Sequence, residues 1–104
     1  MSNANLYKSI FQNITMAQAI IQIKIMPESP DSDLDDIEKA AEQLILKGTK
    51  QIKKEREPIA FGLVAIKILF TWDEASSTDE LLDKIREIKD VSSAEIIDFR
   101  RAIG

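Results

Sequence analysis

Residues able to do chemistry are few in this chain, and their types narrow that chemistry quickly. Histidine and cysteine are both absent from the 104 residues. Histidine is the usual general base near neutral pH and a frequent metal ligand, and the cysteine thiolate is the common soft ligand and nucleophile. Their absence excludes a Ser-His-Asp triad, thiol catalysis, a disulfide framework and a zinc site of Cys and His. A non-enzymatic role is therefore expected. Asp31, Asp33 and Asp35 alternate, and Glu42 stands eleven residues after Asp31, which is the skeleton of a calcium loop. The sixth position of that skeleton is Asp36, where such a loop needs Gly, and Leu34 and Ile37 already belong to a helical stripe. Acids favoured by a helix dipole are the better account, and no metal or cofactor is expected.

Three further groups carry charge or an unusual turn. Lys47, Lys50, Lys53, Lys54 and Arg56 form a basic stretch, which protects a sheet edge or steers an acidic partner. Pro58-Ile59-Ala60-Phe61-Gly62 reads in two ways. It is a turn into a central strand, with Phe61 in the core and Gly62 at a bulge, or a presented loop whose Phe61 enters a partner. Arg100 and Arg101 stand near the end of the sequence, where most charges are simply solvated.

The elements that position these groups follow from periodicity. Over Ala19 to Met26, Ala19, Ile21, Ile23 and Ile25 alternate with Ile20, Gln22, Lys24 and Met26, which predicts a strand stopped by Pro27. Asp33 to Leu46 is predicted helical, with Leu34, Ile37, Ala41, Leu44 and Ile45 in one stripe and Gly48 as its stop. Lys50 to Glu57 reads as an edge strand. Ile59 to Trp72 reads as the strongest strand, with Val64, Ile66, Ile68, Phe70 and Trp72 on one face. Those strand residues are expected to pack against Leu34, Ile37, Leu81 and Ile85. Asp73 to Ser77 is a turn, and Ser77 with Glu80 forms a capping box for a helix that turns Leu81, Leu82, Ile85 and Ile88 inward. Val91 to Arg101 is the last strand. The odd spacing from Ile96 to Phe99 predicts a bulge or face switch near Ile97 and Asp98.

Strand, helix, strand, strand, helix, strand, with right-handed crossovers, gives a ferredoxin-like α+β sandwich: four antiparallel strands with both helices on one face. The length suits one domain. Residues 16–104 are expected to form it. Residues 1–15 read as an N-terminal extension, a loose tail or, from the helical spacing of Leu6, Tyr7, Ile10, Phe11 and Ile14, a short docking helix. Weak patterning there predicts that removing them leaves folding and activity nearly intact. The first fifteen residues lack the basic and apolar regions of a secretory signal, and no apolar run is long enough to span a bilayer. A net charge of −4 argues against direct nucleic-acid binding. A cytoplasmic protein is expected.

Three strings carry a resemblance. Ile23-Lys24-Ile25-Met26-Pro27-Glu28-Ser29-Pro30-Asp31 is followed by Asp33-Leu34; Glu57-Pro58-Ile59-Ala60-Phe61-Gly62-Leu63-Val64-Ala65 comes next; Asp98-Phe99-Arg100-Arg101 closes the series. Together, from about Met16 to about Arg101, they resemble the archaeal elongation factor 1-beta family. The middle string is the most specific, and it is also similar to the exchange domain of the eukaryotic counterpart. The resemblance implies a guanine-nucleotide exchange factor whose partner is the GTPase elongation factor 1-alpha. It further implies that Pro58, Ile59, Phe61 and Gly62 meet the partner. Arg100 and Arg101 would lie near its nucleotide, in the place of a C-terminal Lys of the eukaryotic proteins. The departures are Arg for Lys and three following residues, Ala102 to Gly104. Two alternatives share the fold: an RNA-binding module, which needs exposed aromatics on the central strands, and a small-ligand regulatory domain, for which no Gly-rich phosphate loop exists.

Overall fold

The computed structural model describes residues 18–73 and 76–102. The strands are β1 (Gln18–Pro27), β2 (Ile52–Pro58), β3 (Val64–Asp73) and β4 (Val91–Ala102), and the helices are α1 (Leu34–Ile45) and α2 (Thr78–Arg86). One sheet has the order β2-β3-β1-β4, antiparallel at every pair. This is the expected ferredoxin-like sandwich. The expected extension, residues 1–15, lies outside the described residues.

Alternation decides which side of the sheet is covered. Ala19, Ile21, Ile23 and Ile25 of β1 and Ile66, Ile68, Phe70 and Trp72 of β3 are buried on the helix-facing side. Ile37, Ala41 and Ile45 of α1 and Leu81, Leu82 and Ile85 of α2 close over them. At about 1.5–3 kcal/mol for each large aliphatic taken out of water, this layer dominates stability. Phe70 and Trp72 meet edge to face with ring centroids 5.6 Å apart.

The helices start where side chains cap them. Asp33 Oδ1 accepts from the Asp36 amide at 3.2 Å, and Ser77 Oγ accepts from the Glu80 amide at 3.2 Å. Each satisfies one orphan amide of a first turn. In β4 the pairing passes from Gln22↔Asp98 to Ile23↔Ile96, so Ile97 is the extra residue of the expected bulge. A second shift, between Met26↔Ser93 and Pro27↔Val91, was not foreseen.

Two expectations are corrected. The strand read from Ile59 begins only at Val64, because the five residues from Ile59 to Leu63 are spent on a turn. Gly48 is not a left-handed helix stop, since Gly62 is the one glycine with positive φ among the described residues. Gly48 is needed for another reason. A Cβ there would sit 2.6 Å from Cη2 and Cζ3 of Trp72, so glycine lets the backbone pass over the indole.

Candidate functional site: an aromatic hairpin tip and a cationic strand end

The five-residue β2–β3 connection is built around a four-residue turn, Ala60 to Leu63. The Leu63 amide donates to the Ala60 carbonyl at 3.3 Å, and the Ile59 amide donates to the Leu63 carbonyl at 2.7 Å. Both central residues have positive φ, 65° at Phe61 and 77° at Gly62. That is the signature of a type I′ hairpin turn, whose twist matches that of the flanking strands. Asn-Gly is the usual occupant, because Asn tolerates the left-handed region. Phe does not: the left-handed conformation costs a bulky L-residue about 1–2 kcal/mol. The strain is not repaid by burial, since Phe61 is 94% exposed. An aromatic held in a strained turn with its ring in solvent does nothing for the fold, which makes it a candidate for recognition.

A second loop braces this tip. A Cβ on Gly62 would come within 3.7 Å of Pro30 Cβ and Cγ, so the chain after β1 lies against the turn. That loop is tied internally. Ser29 and Ser32 exchange backbone and hydroxyl contacts at 3.1–3.4 Å, the Asp31 amide donates to Ser29 Oγ at 3.2 Å, and the Glu28 amide donates to the Asp90 carbonyl at 2.8 Å. The first two of the three motif strings therefore converge at one end of the molecule. Antiparallel pairing of β1 with β3 requires this, because the end of one meets the start of the other.

Arg100 and Arg101 lie elsewhere. Ile20 pairs with Arg100 on one side and Thr71 on the other. Thr71 is seven residues along β3 from Val64, where the hairpin begins. At about 3.3 Å per strand residue the separation exceeds about 20 Å. The tip and the arginines are thus at opposite ends of the sheet, and the expectation that they share one contact region holds only for a partner long enough to reach both. Arg100 is exposed and pairs with Asp98 at 3.2 Å.

The basic stretch divides by strand face. Lys54 and Arg56 point to the helix-facing side of β2 and bind α1. Lys54 bonds Glu42 and lies 3.8 Å from Glu38; Arg56 reaches Glu38 at 2.7 Å and Asp35 at 2.6 Å. Hydrogen bonding to Glu42 raises the Lys54 pKa, and hydrogen bonding to Glu38, then Asp35, raises that of Arg56. These two cations are engaged within the domain rather than offered to a partner. A matching i, i+3, i+7 run of acids, Asp35, Glu38 and Glu42, was the available signal. On the outer face, Lys24, Lys67, Glu55 and Glu57 form a cross-strand cluster at 3.3–4.0 Å. Its described β1 and β3 positions carry no aromatic, and Phe70 and Trp72 are buried on the other side. The sheet thus lacks the stacking platform of an RNA-recognition module. Among the described residues no cluster of acids could hold a metal ion, and no helix is long and apolar enough to cross a membrane.

Comparison with known proteins fits this geometry. Residues 20–102 match the EF-1 guanine nucleotide exchange domain. A relative from Methanothermobacter thermautotrophicus named Elongation factor 1-beta is 39% identical over 87 residues, covering 83% of this chain and 98% of that protein. Proteins of the same name from Methanobrevibacter smithii and Thermococcus onnurineus are 41% and 45% identical, over 83% and 71% of this chain and 98% and 84% of theirs. Two solved structures share the fold alone. One is the C-terminal domain of a cyclometallase, LarC2, with a TM-score of 0.58 at 14% identity, covering 84% of this chain and 58% of that one. The other is the designed protein Foldit4, with a TM-score of 0.56 at 16% identity, covering 84% and 98%.

Proposed function

The chain belongs to the EF-1 guanine nucleotide exchange domain family, with a role in nucleotide exchange during translation elongation, and we propose that it binds elongation factor 1-alpha and speeds GDP release through the Phe61 tip and the β4 end. Exchange makes and breaks no covalent bond. It needs a surface that binds the nucleotide-poor GTPase more tightly than the GDP-bound one. The coupling is reciprocal: the factor weakens GDP as much as GDP weakens the factor. Loosening GDP a thousandfold takes about 4 kcal/mol of coupling.

The observation that carries this reading is Phe61, strained and 94% exposed at the hairpin tip. Pro58, Ile59 and Gly62 hold the turn that presents it, so the ring enters the partner already oriented. The arginines act at the other end. A contact spanning both ends suits a partner with two separated surfaces, one apolar pocket for the ring and one anionic region for Arg100 and Arg101. Guanidinium groups there favour charge near the bound phosphates or Mg²⁺ of the GTPase, whose grip holds GDP. The site of action is the cytoplasm, where elongation runs.

Release of labelled GDP from elongation factor 1-alpha tests both ends. Phe61→Ala weakens binding by at least tenfold, as expected of an interface anchor, and leaves the melting temperature unchanged. Replacing both Arg100 and Arg101 by Ala slows release and flattens its dependence on salt, because exposed charges act over about a Debye length. A Phe61→Ala protein that melts lower yet exchanges at the full rate makes the ring structural. A double Arg variant with wild-type rates at low and high salt removes the arginines from the mechanism.

A further inference from the structure

The cations of the basic stretch do not all have the same fate. Lys54 and Arg56 are engaged by α1. Lys50 and Lys53 are exposed, and neither makes an ion pair among the described residues. Register places Lys53 opposite Leu69, on the face of the sheet turned away from the helices. That outer face has two halves. Toward the hairpin tip it carries Lys24 and Lys67, and Glu55 and Glu57 answer both. Toward Arg100 the cations go unanswered, and the ground between them is apolar. Ile20, 36% exposed on an inner strand, and the half-buried Leu69 floor a groove of about 420 Å³ there.

Arg100 stands at one side of this groove, because it is the cross-strand neighbour of Ile20. Its side chain is 75% exposed. Lys53 stands at the other side, three strand spacings away, or about 14 Å. Lys50 is held nearby. The Thr49 and Thr71 hydroxyls share a hydrogen bond at 2.7 Å, and the Thr71 amide donates to the Gln51 carbonyl at 3.4 Å. The loop that carries Lys50 is thereby fastened to β3. Of the nearby acids, Asp98 is held by Arg100, and Asp73 lies at the end of β3, opposite Gln18. A single exposed isoleucine is ordinary on a protein surface. An apolar floor with unpaired cations at its margins has the anatomy of a contact, a dry centre inside a polar rim.

We propose that elongation factor 1-alpha docks on this groove as well as on the arginines, laying an apolar side chain over Ile20 and Leu69 and turning carboxylates toward Lys50, Lys53 and Arg100. The inference rests on the exchange reading above and gives the partner's surface at this end its chemistry, acidic around an apolar centre. Any partner that touches Arg100 also lies over Ile20 beside it. Apolar burial then holds the partner, and the flanking cations steer it and fix its register. Arg100 is aimed by this docking rather than merely attracted.

Binding to nucleotide-free elongation factor 1-alpha and release of labelled GDP are measured for three variants of the full chain. Ile20→Thr with Leu69→Thr removes the apolar floor and keeps residues that favour strands. Lys50→Glu with Lys53→Glu reverses the rim. Lys39→Glu with Lys84→Glu makes the same change of net charge at exposed positions on the two helices. The first two variants weaken binding by about tenfold or more and slow release. The third changes binding by less than about threefold, as expected of distant, screened charges. Lys50 and Lys53 are exposed, so that variant decides the matter even where the threonine pair lowers the melting temperature. Threonine and lysine variants that bind and exchange like wild type, while the Arg100 and Arg101 double variant is slow, overturn the groove and leave the exchange reading standing. Equal losses from the Lys39 and Lys84 reversal overturn it too, because net charge then explains the effect. A wild-type chain that sediments as a dimer, and as a monomer once the threonines are in place, gives the groove to a second copy instead. A wild-type chain that fails to speed GDP release overturns the exchange reading itself, and this docking surface with it.

Discussion

Gly48 and Phe61 show the two ways a single residue departs from its ordinary use. At Gly48 the missing Cβ matters because Trp72 occupies its place. Gly48→Ala is expected to cost about 1–3 kcal/mol, the usual range for overpacking against a fixed ring, read as a lower midpoint of urea unfolding with an unchanged slope. An unchanged midpoint would mean that the indole moves aside freely. The sequence suggested a glycine at the end of α1 but not its reason, because the approach of Trp72 depends on how β3 and α1 meet. Phe61 was legible as a choice between core and display. Its φ of 65° was not, since Phe-Gly is no ordinary type I′ pair and alternation ran on through Ile59 as though the strand were continuous.

Individual elements were the most legible part. Alternation at Ala19, Ile21, Ile23 and Ile25 placed β1 and its buried face, and the odd spacing in β4 placed the bulge at Ile97. The second bulge, near Ser92, left a fainter trace, the odd interval between Val91 and Ala94, which are both buried. The β2 cations read in the sequence as edge protection or as charge that steers a partner, and not as ion pairs with α1, because pairing across elements depends on packing. The pairing has a pH consequence. The folded pKa of Lys54 is raised, first by its hydrogen bond to Glu42. Its contribution is therefore fully present below the unfolded lysine value of about 10.4 and is lost as pH climbs through the folded value. The stability difference between wild type and Lys54→Met should be constant up to about pH 10 and shrink above it. A difference that stays constant in chemical denaturation through that alkaline window would show that the pair contributes nothing.

For the whole molecule, strand order is what separates the functional groups. Antiparallel pairing of β1 with β3 joins the Pro30 loop to the Phe61 turn, and pairing of β1 with β4 carries Arg100 and Arg101 to the far end. The three strings could be read in the sequence, and so could the topology, from which the opposition of their ends follows: β3 and β4 both run antiparallel to β1, so the start of one lies at the opposite end of the sheet from the end of the other. It gives the domain two separated ends, with the Phe61 turn at one and Arg100 and Arg101 at the other. The central claim is that Phe61 is kept in an unfavourable conformation for the sake of the partner. Phe61→Asn tests it most directly, because Asn favours the left-handed region and keeps the turn while removing the ring. GDP release from elongation factor 1-alpha and thermal melting are measured on the same preparations. The melting temperature should be unchanged or higher, by relief of up to about 1 kcal/mol of strain, while stimulation of GDP release falls at least tenfold. A lower melting temperature with full stimulation would contradict the account, placing Phe61 in the service of the fold and the exchange surface elsewhere.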